Sequence, residues 1–223
     1  MASAVPLNPH DPHPPDPYRV DADTALANES TFVLNHADTF AVIDHWGDIG
    51  PGARGWQGIY HRDTRHISQL RVRLNGRLPV LLTSTVTDDN LTLVAEQTNA
   101  AAPGLLRNVL HLRRQAVIHD GRCDLSFDLA NHDLETHDVD VCIRADADFH
   151  DIFEVRGLVR ASKPPPRTLN MNSRGVDFIY AGLDGVRRAT QLSFTMTPNQ
   201  VDAHGTHFRF TLAPRRQIGR AHV

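Results

Sequence analysis

The residues from His61 to Asp63 form a His-Arg-Asp triplet, which in protein kinases is part of the catalytic loop. In that loop the aspartate accepts the proton of the attacking hydroxyl, and an asparagine five residues later binds a metal ion. Here the fifth residue after Asp63 is Ser68, and no Gly-rich phosphate loop followed by a lysine occurs in the chain. The triplet is therefore not a kinase motif.

Asp63 lies between Arg62 and Arg65, so two guanidinium groups flank its carboxylate. This arrangement suits structural ion pairs and charge-assisted hydrogen bonds to sugar hydroxyls. Positive neighbours favour the ionised carboxylate and so disfavour its use as a general acid. We expect Arg62, Asp63 and Arg65 to act in a structural or domain-interface role rather than in catalysis.

The segment RADADFHDIFEVRG carries four carboxylates, at Asp146, Asp148, Asp151 and Glu154. Their alternation could supply oxygen ligands to a cation, but the segment lacks the glycine turn and final bidentate glutamate of a calcium loop. A solvated strand end that leads into a loop explains the pattern better, so we predict no metal site and no cofactor. Asp151, Glu154 and Arg156 remain candidates for an interface or for contacts with sugar.

Other potential catalytic patterns give no site. Asp88 and Asp89 are adjacent, whereas glycoside hydrolysis needs two carboxyl groups roughly 5 to 10 Å apart across a sugar, and Asp-Asp-Asn favours a turn. His61 and His66 are expected to face opposite ways on extended chain. Neither a zinc-type His-Glu-x-x-His motif nor a nucleophile elbow is present, so no catalytic residue is predicted.

Three aromatic residues lie near the Gly-rich segment GDIGPGARGWQG, namely Trp46, Trp56 and Tyr60. Flat apolar rings can stack on the C–H face of a pyranose, so these residues could form a sugar-binding platform. Aromatic residues in loops also serve to plug a core. The sequence leaves both interpretations open.

Composition excludes several classes of partner. The formal net charge is -3, without the basic excess that binds phosphate backbones, so we predict no nucleic-acid partner. The N-terminus lacks the cationic start and apolar core of a signal peptide, and no apolar run is long enough to span a bilayer. We therefore expect no membrane association and a cytoplasmic location.

The chain from residue 19 onward reads as many short strands with alternating polarity. Asn75-Gly76, Asp120-Gly121 and Asp184-Gly185 are hairpin dipeptides, since their residues tolerate positive φ. Long helical periodicity is absent, so the pattern predicts an all-β, antiparallel sandwich over residues 19–216. Residues 1–18 are rich in Pro, His and Asp and are expected to be a disordered lead-in.

Four consecutive blocks of the chain resemble a known family. They are GIYHRDTRHISQLRVRLNGRLPVLLTSTVTDDN, LHLRRQAVIHDG, LSFDLANHD and ADADFHDIFEVRG. In this order they are similar to the N-terminal domain of bacterial glycogen debranching enzyme (amylo-α-1,6-glucosidase) homologues. The resemblance runs from about Phe32 to about Leu212.

This resemblance implies a large antiparallel β-sandwich of the supersandwich type, in the service of α-glucan metabolism. In the family an (α/α)6 barrel follows the sandwich and carries the catalytic carboxylates. The chain is thus expected to be an accessory domain, inactive alone, whose partner is a missing C-terminal catalytic domain of the same parent chain. The family role that can be carried over is an interface, through Arg62, Asp63, Arg65 and the DIFEVRG loop. Trp56 is a separate candidate for contact with α-glucan, because its ring can stack on a sugar.

The last residues suggest where natural coding sequence stops. Ile218 to Val223 reads as the translation of a widely used short-read sequencing adapter, and Gln217 fits a partial codon before it. We therefore expect residues 217–223 to be an adapter-derived tail on a truncated reading frame.

Two alternatives remain at this stage. The first is a free-standing carbohydrate-binding module that uses Trp46, Trp56 and Tyr60 as its platform. The second is a purely structural β-domain that docks onto a partner chain. Fold alone does not decide among these functions, because function depends on the site.

Overall fold

The structure of the chain is a computed structural model that describes residues 31–50, 55–158, 167–172, 175–202 and 205–222. The expected lead-in, residues 1–18, lies outside the described residues. From Phe32 onward the chain forms one compact unit. No helix in the described ranges is long and apolar enough to cross a membrane.

The described chain is built almost entirely from short strands. One four-residue helix, α1 (Ile152–Val155), interrupts them. The strands are β1 (Thr31–His36), β2 (Thr39–Asp44), β3 (Gly58–His61), β4 (Thr64–Ile67), β5 (Gln69–Leu74), β6 (Val80–Val86), β7 (Thr92–Thr98), β8 (Leu110–His119), β9 (Arg122–Asn131), β10 (His137–Asp146), β11 (Thr168–Asn172), β12 (Gly175–Ala181), β13 (Arg187–Ser193), β14 (Gln200–Asp202), β15 (Gly205–Leu212) and β16 (Gln217–His222).

The strands are divided among four small sheets. Their strand orders are β1-β2-β3-β4, β14-β15-β10-β5, β11-β12-β13 and β16-β9-β8-β7-β6. The registers within them are antiparallel, for example between β8 and β9 and between β10 and β15. The all-β antiparallel prediction is confirmed, but the strands do not form one large sandwich.

The Asn75-Gly76 turn shows why sequence reasoning overestimated the size of the sheets. Both residues have positive φ, 46° and 73°, as a type I′ turn requires. Asn75 nevertheless continues along β10, since its amide donates to the Asp140 carbonyl at 2.8 Å and its side-chain oxygen accepts the Asp140 amide at 2.7 Å. Pro79, which has no N–H to donate, separates this turn from β6. The two strands around the turn therefore join different sheets.

Alternation within strands places the core as predicted. In β5 the residues Leu70, Val72 and Leu74 are buried, while the arginines between them are half-buried. One continuous cluster of buried side chains then connects β5, β10 and β15 with β7, β8 and β9. This shared core joins sheets that no backbone ladder connects.

The two cysteines lie in different sheets. Cys123 belongs to β9 and Cys142 to β10, and the two do not form a disulfide with each other. Desolvation by burial raises the pKa of the Cys123 thiol to about 12. This thiol is therefore unreactive as a nucleophile near neutral pH.

A buried ion cluster links three parts of the chain. Asp48, in the loop after β2, accepts hydrogen bonds from Arg114 of β8 at 2.6 Å and from Arg73 of β5 at 3.0 Å. Its Oδ1 also accepts the Val72 amide at 3.1 Å. Arg114 is only 1% exposed and lies 5.7 Å from the ring centre of Phe127. Asp48 thus forms ion pairs with two guanidinium groups from two different sheets.

We predict that Asp48→Ala lowers the free energy of unfolding by about 3–5 kcal/mol, because removal of one partner leaves Arg114 buried and unpaired. Arg113, the next residue on β8, provides the matched control. Its side chain is 48% exposed, and its ion pair with Glu96 is long, at 3.7 Å. Arg113→Ala should cost about 1 kcal/mol or less. Urea unfolding of the two variants measures the difference, and equal costs would show that the cluster contributes no more than a surface pair.

Candidate functional site

The His-Arg-Asp triplet forms the turn of the β3–β4 hairpin. Arg62 and Asp63 both have positive φ, 47° and 59°, which is the backbone of a two-residue type I′ turn. Neither residue is glycine or asparagine, so neighbouring contacts must stabilise this uncommon conformation. The Arg62 amide donates to the Asp38 carbonyl at 3.0 Å, and the Asp63 carbonyl accepts the Ile152 amide at 2.9 Å. The triplet is thus a structural turn in which the side chains of Arg62 and Asp63 are exposed and that of His61 is half-buried.

Arg65, in contrast, points into the protein. It is buried, and its guanidinium binds the Asp148 carboxylate with two nitrogens, one bond being Nε to Oδ1 at 3.1 Å. A third nitrogen donates to the carbonyls of Gly55 and Gln57. Burial by itself would lower the pKa of Arg65, but the hydrogen bond and charge of Asp148 raise it above its ordinary value. Arg65 is therefore a permanent internal cation and not an exposed contact residue.

The two charged segments singled out in the sequence come together in space. The Arg65 amide donates to the His150 carbonyl at 2.8 Å, and the Phe149 amide donates to the Arg65 carbonyl at 3.1 Å. Thr64 and Asp151 form an antiparallel bridge further along. The chain after β10 therefore runs alongside β4, and the Arg65–Asp148 pair fixes this alignment.

Asp151 and Glu154 form a capping box at α1. Asp151 Oδ1 accepts the amides of Phe153 and Glu154 at 2.8 and 2.9 Å, and Glu154 Oε2 accepts the Asp151 amide at 3.0 Å. This reciprocal pattern satisfies amides that the start of a helix leaves without partners. The capping box thus stabilises the start of this short helix.

An exposed surface results, which we call the corner surface and define as Arg62, Asp63, Phe153, Arg156 and Leu158. Phe153 and Leu158 are 62% and 63% exposed, and the three charged residues are also exposed. The bond from the Ile152 amide to the Asp63 carbonyl holds the turn and the helix together. The corner surface therefore combines two large apolar side chains with charges of both signs.

The predicted aromatic platform is not formed. Tyr60 is only 2% exposed, stacks on Phe40 at 4.5 Å between ring centres, and donates its hydroxyl to the Trp56 carbonyl at 2.6 Å. Burial raises the pKa of its phenol. Trp46 is half-buried, and its indole N–H donates to the Pro79 carbonyl at 3.0 Å. Two of the three rings thus take part in packing within the domain. The three residues therefore do not form one exposed sugar-binding platform.

The carboxylates are arranged as structural groups. Asp148 pairs with Arg65 and Asp146 with Arg167, and no cluster of three metal-ligating side chains occurs among the described residues. Asp89 accepts the Leu91 amide at 3.0 Å, so the Asp88-Asp89 pair is the predicted turn.

A cleft of about 540 Å³ is the feature that the sequence did not reveal. Its lining includes His61 and His66, which were expected to face opposite ways on extended chain. The Arg62-Asp63 turn between them folds the chain back, and their ring centres are 6.2 Å apart. Recognition of the triplet as a hairpin turn would have placed both imidazoles on one side.

A family model for the N-terminal domain of (some) glycogen debranching enzymes matches residues 34–220. The chain belongs to this family. No curated protein matches the chain significantly.

We predict that His66 makes stability pH-dependent. Burial lowers the pKa of His66, and the charges of His61 and Arg188 act in the same direction. The unfolded chain therefore binds a proton on this ring at higher pH than the folded chain does. This contribution to stability is fully present above about pH 6.5 and is lost as pH falls towards the lower folded pKa.

His66→Gln should therefore lose less stability than the wild type when the pH is lowered from about 7.5 to about 5.5. Urea unfolding at both pH values measures the change within each protein. His132→Gln, at an exposed position, is the control and should retain the wild-type change. An unchanged pH dependence in the His66 variant would contradict the lowered pKa of this half-buried imidazole.

Proposed function

We propose that this chain is the accessory N-terminal domain of a glycogen-debranching-type glycoside hydrolase that acts in cytoplasmic α-glucan metabolism. The observation that carries the proposal is the family match over residues 34–220. On this proposal the amylo-α-1,6-glucosidase chemistry belongs to a C-terminal (α/α)6 catalytic domain of the parent chain. On this proposal the all-β domain alone is not catalytic.

The corner surface is the face that we propose docks onto the catalytic domain. Its two exposed apolar side chains, Phe153 and Leu158, are large enough to act as anchors in a partner's pocket. Arg62, Asp63 and Arg156 surround them with charges that can fix the orientation of the partner. The surface is supported from inside by the capping box and by the Arg65–Asp148 pair, so little conformational freedom is lost on docking.

The candidate interface residues therefore divide into two groups. Arg62, Asp63 and Arg156 are exposed and can touch the partner directly. Arg65, Asp151 and Glu154 act from behind, since their side chains are engaged within the domain. A substitution in the second group should weaken docking only indirectly, by displacing the exposed residues of the first group.

The alternative function is that of a free-standing carbohydrate-binding or structural β-domain. A carbohydrate-binding module of that kind would use Trp46, Trp56 and Tyr60 as an exposed aromatic platform. Tyr60 is buried, so the three rings do not form one. The family match and the exposed corner both favour a docked accessory domain.

The test is co-purification of the chain with the catalytic domain of its parent. Phe153→Ser should abolish stable association, because it removes an exposed apolar anchor without disturbing a buried contact. Leu106→Ser is the matched control, since Leu106 is 74% exposed and outside the corner surface, and it should bind like the wild type. Retained association in the Phe153 variant would place the interface elsewhere, and α-glucan hydrolysis by the chain alone would contradict the accessory role.

A further inference from the structure

A carboxylate, an imidazole and a thiol lie side by side on the sheet β14-β15-β10-β5. In β10 the residues Val141 and Ile143 are buried, so Asp140 and Cys142, which alternate with them, project from the face turned away from the core. Cys142 lies directly opposite His207 in the register between β10 and β15. Opposite and diagonal side chains on one face of an antiparallel pair are close enough to interact. The strand register therefore brings the three side chains together.

His207 connects the other two side chains. Its Nδ1 lies 3.1 Å from Asp140 Oδ2, and its Nε2 lies 3.7 Å from Cys142 Sγ. An ionised carboxylate can only accept hydrogen bonds, so the proton of the neutral ring is on Nδ1. Nε2 then carries a lone pair that can accept the proton of the thiol. We call Asp140, His207 and Cys142 the thiol relay, since they place an orienting carboxylate, a base and a nucleophile in that order.

Backbone contacts hold the ends of the thiol relay in place. The Asp140 amide donates to the Asn75 side chain at 2.7 Å, and the Asp140 carbonyl accepts the Asn75 amide at 2.8 Å. Beside Cys142, a Cβ added at position 205 would lie only 2.9 Å from Sγ, so Gly205 leaves the room that the sulfur occupies. The relay is thus supported by the turn after β5 at one end and by a glycine of β15 at the other.

The thiol of Cys142 needs a base in order to react near neutral pH. Burial raises its pKa. Two neighbouring carboxylates raise the pKa further and two guanidinium groups lower it, namely Asp140 and Asp202, and Arg73 and Arg144. The protonated thiol is therefore the resting form, although the thiolate is the nucleophile. His207 can take the proton as the sulfur attacks, which is the role of the base in a cysteine–histidine pair.

The chemistry of the thiol relay favours a small disulfide as the reagent. Cys142 and His207 are both half-buried, so a small molecule can reach the sulfur. Thiol–disulfide exchange needs an attacking sulfur and a leaving sulfur that carries the negative charge itself. Acyl transfer would also need hydrogen-bond donors for a developing oxyanion, and the thiol relay contains no such donor.

We propose that Cys142 is a site of reversible S-thiolation by a low-molecular-weight disulfide, with His207 as the base and Asp140 as its positioning residue. His207 Nε2 takes the thiol proton while Cys142 Sγ attacks one sulfur of the disulfide. A new S–S bond forms, and the S–S bond of the reagent breaks with its electron pair on the departing sulfur. That thiolate takes the proton from His207. Cys142 is oxidised to a mixed disulfide, and the other half of the reagent is reduced to a thiol.

The first test is reaction of the intact chain with glutathione disulfide near neutral pH, followed by mass spectrometry and peptide mapping. We expect a single glutathionyl group, attached to Cys142 and removed by dithiothreitol. Cys123 is the internal control and should stay unmodified, since burial raises the pKa of its thiol to about 12. An unmodified Cys142, or faster modification of Cys123, would overturn the inference.

The second test measures the rate of the same reaction in variants. His207→Gln should slow it at least about tenfold, because the base is lost. In urea, where the thiol relay no longer exists, this variant and the wild type should react equally fast. His132→Gln is the control, since His132 is exposed and on no strand of this sheet, and it should react like the wild type. Equal rates for folded His207→Gln and the wild type would show that His207 is not the base.

The role of Asp140 has a spectroscopic test that depends on no variant. Long-range proton–nitrogen NMR of the wild type should show His207 with its proton on Nδ1. Asp140→Asn should increase the fraction of rings protonated on Nε2 and slow the reaction, because the orienting carboxylate is lost. A wild-type ring protonated on Nε2 would contradict the thiol relay even if His207→Gln fails to fold. Co-purification with the catalytic domain does not depend on Cys142, so docking and S-thiolation can fail separately.

Discussion

The ion cluster of Asp48, Arg73 and Arg114 is the contact on which the arrangement of the sheets depends. Because the strands are divided among four sheets, backbone ladders cannot position one sheet against another. Asp48 joins β8 of one sheet to β5 of a second, from a loop that follows β2 of a third. Arg114 is buried, and its Nε and Nη2 have no hydrogen-bond partner in the structure, so a hydrophobic substitute of equal volume could be as stable. We infer that the cluster contributes specificity of alignment more than net stability.

A second charged pair positions the residues of the corner surface. Arg65 and Asp148 hold β4 beside the segment that leads into α1, and the capping box of Asp151 and Glu154 then fixes the helix. The corner surface and the wall of the cleft that carries His66 are thus positioned by the same hairpin.

The sequence predicted the strands and their buried faces more accurately than it predicted how the strands pair into sheets. Alternation in β5, β8, β9 and β10 placed the core faces correctly, since period-two burial is a local property of a strand. The partner of each strand is decided by distant contacts, such as those between Asn75 and Asp140, which carry no local signal. The large sandwich was wrong for this reason.

The candidate site shows the same limit. Residue types and spacing correctly separated the His-Arg-Asp triplet from a kinase loop, and they identified the charged residues that the structure brings together. They could not distinguish buried Arg65 from exposed Arg62, because both flank the same aspartate. Residue types and spacing also did not predict the cleft. The turn that brings its two histidines together requires positive φ at Arg62 and Asp63, and neither residue is the glycine or asparagine that usually signals such a turn. Burial of Tyr60 likewise follows from its contact with Phe40, on a neighbouring strand.

The account rests most directly on the proposal that a catalytic domain follows this domain in the parent protein. The decisive measurement is a long read of the source DNA across the codons for Thr211 to Val223. The account predicts that the reading frame of the parent gene continues beyond this domain into a long region with helical periodicity. A stop codon directly after Val223 in the genome would contradict it.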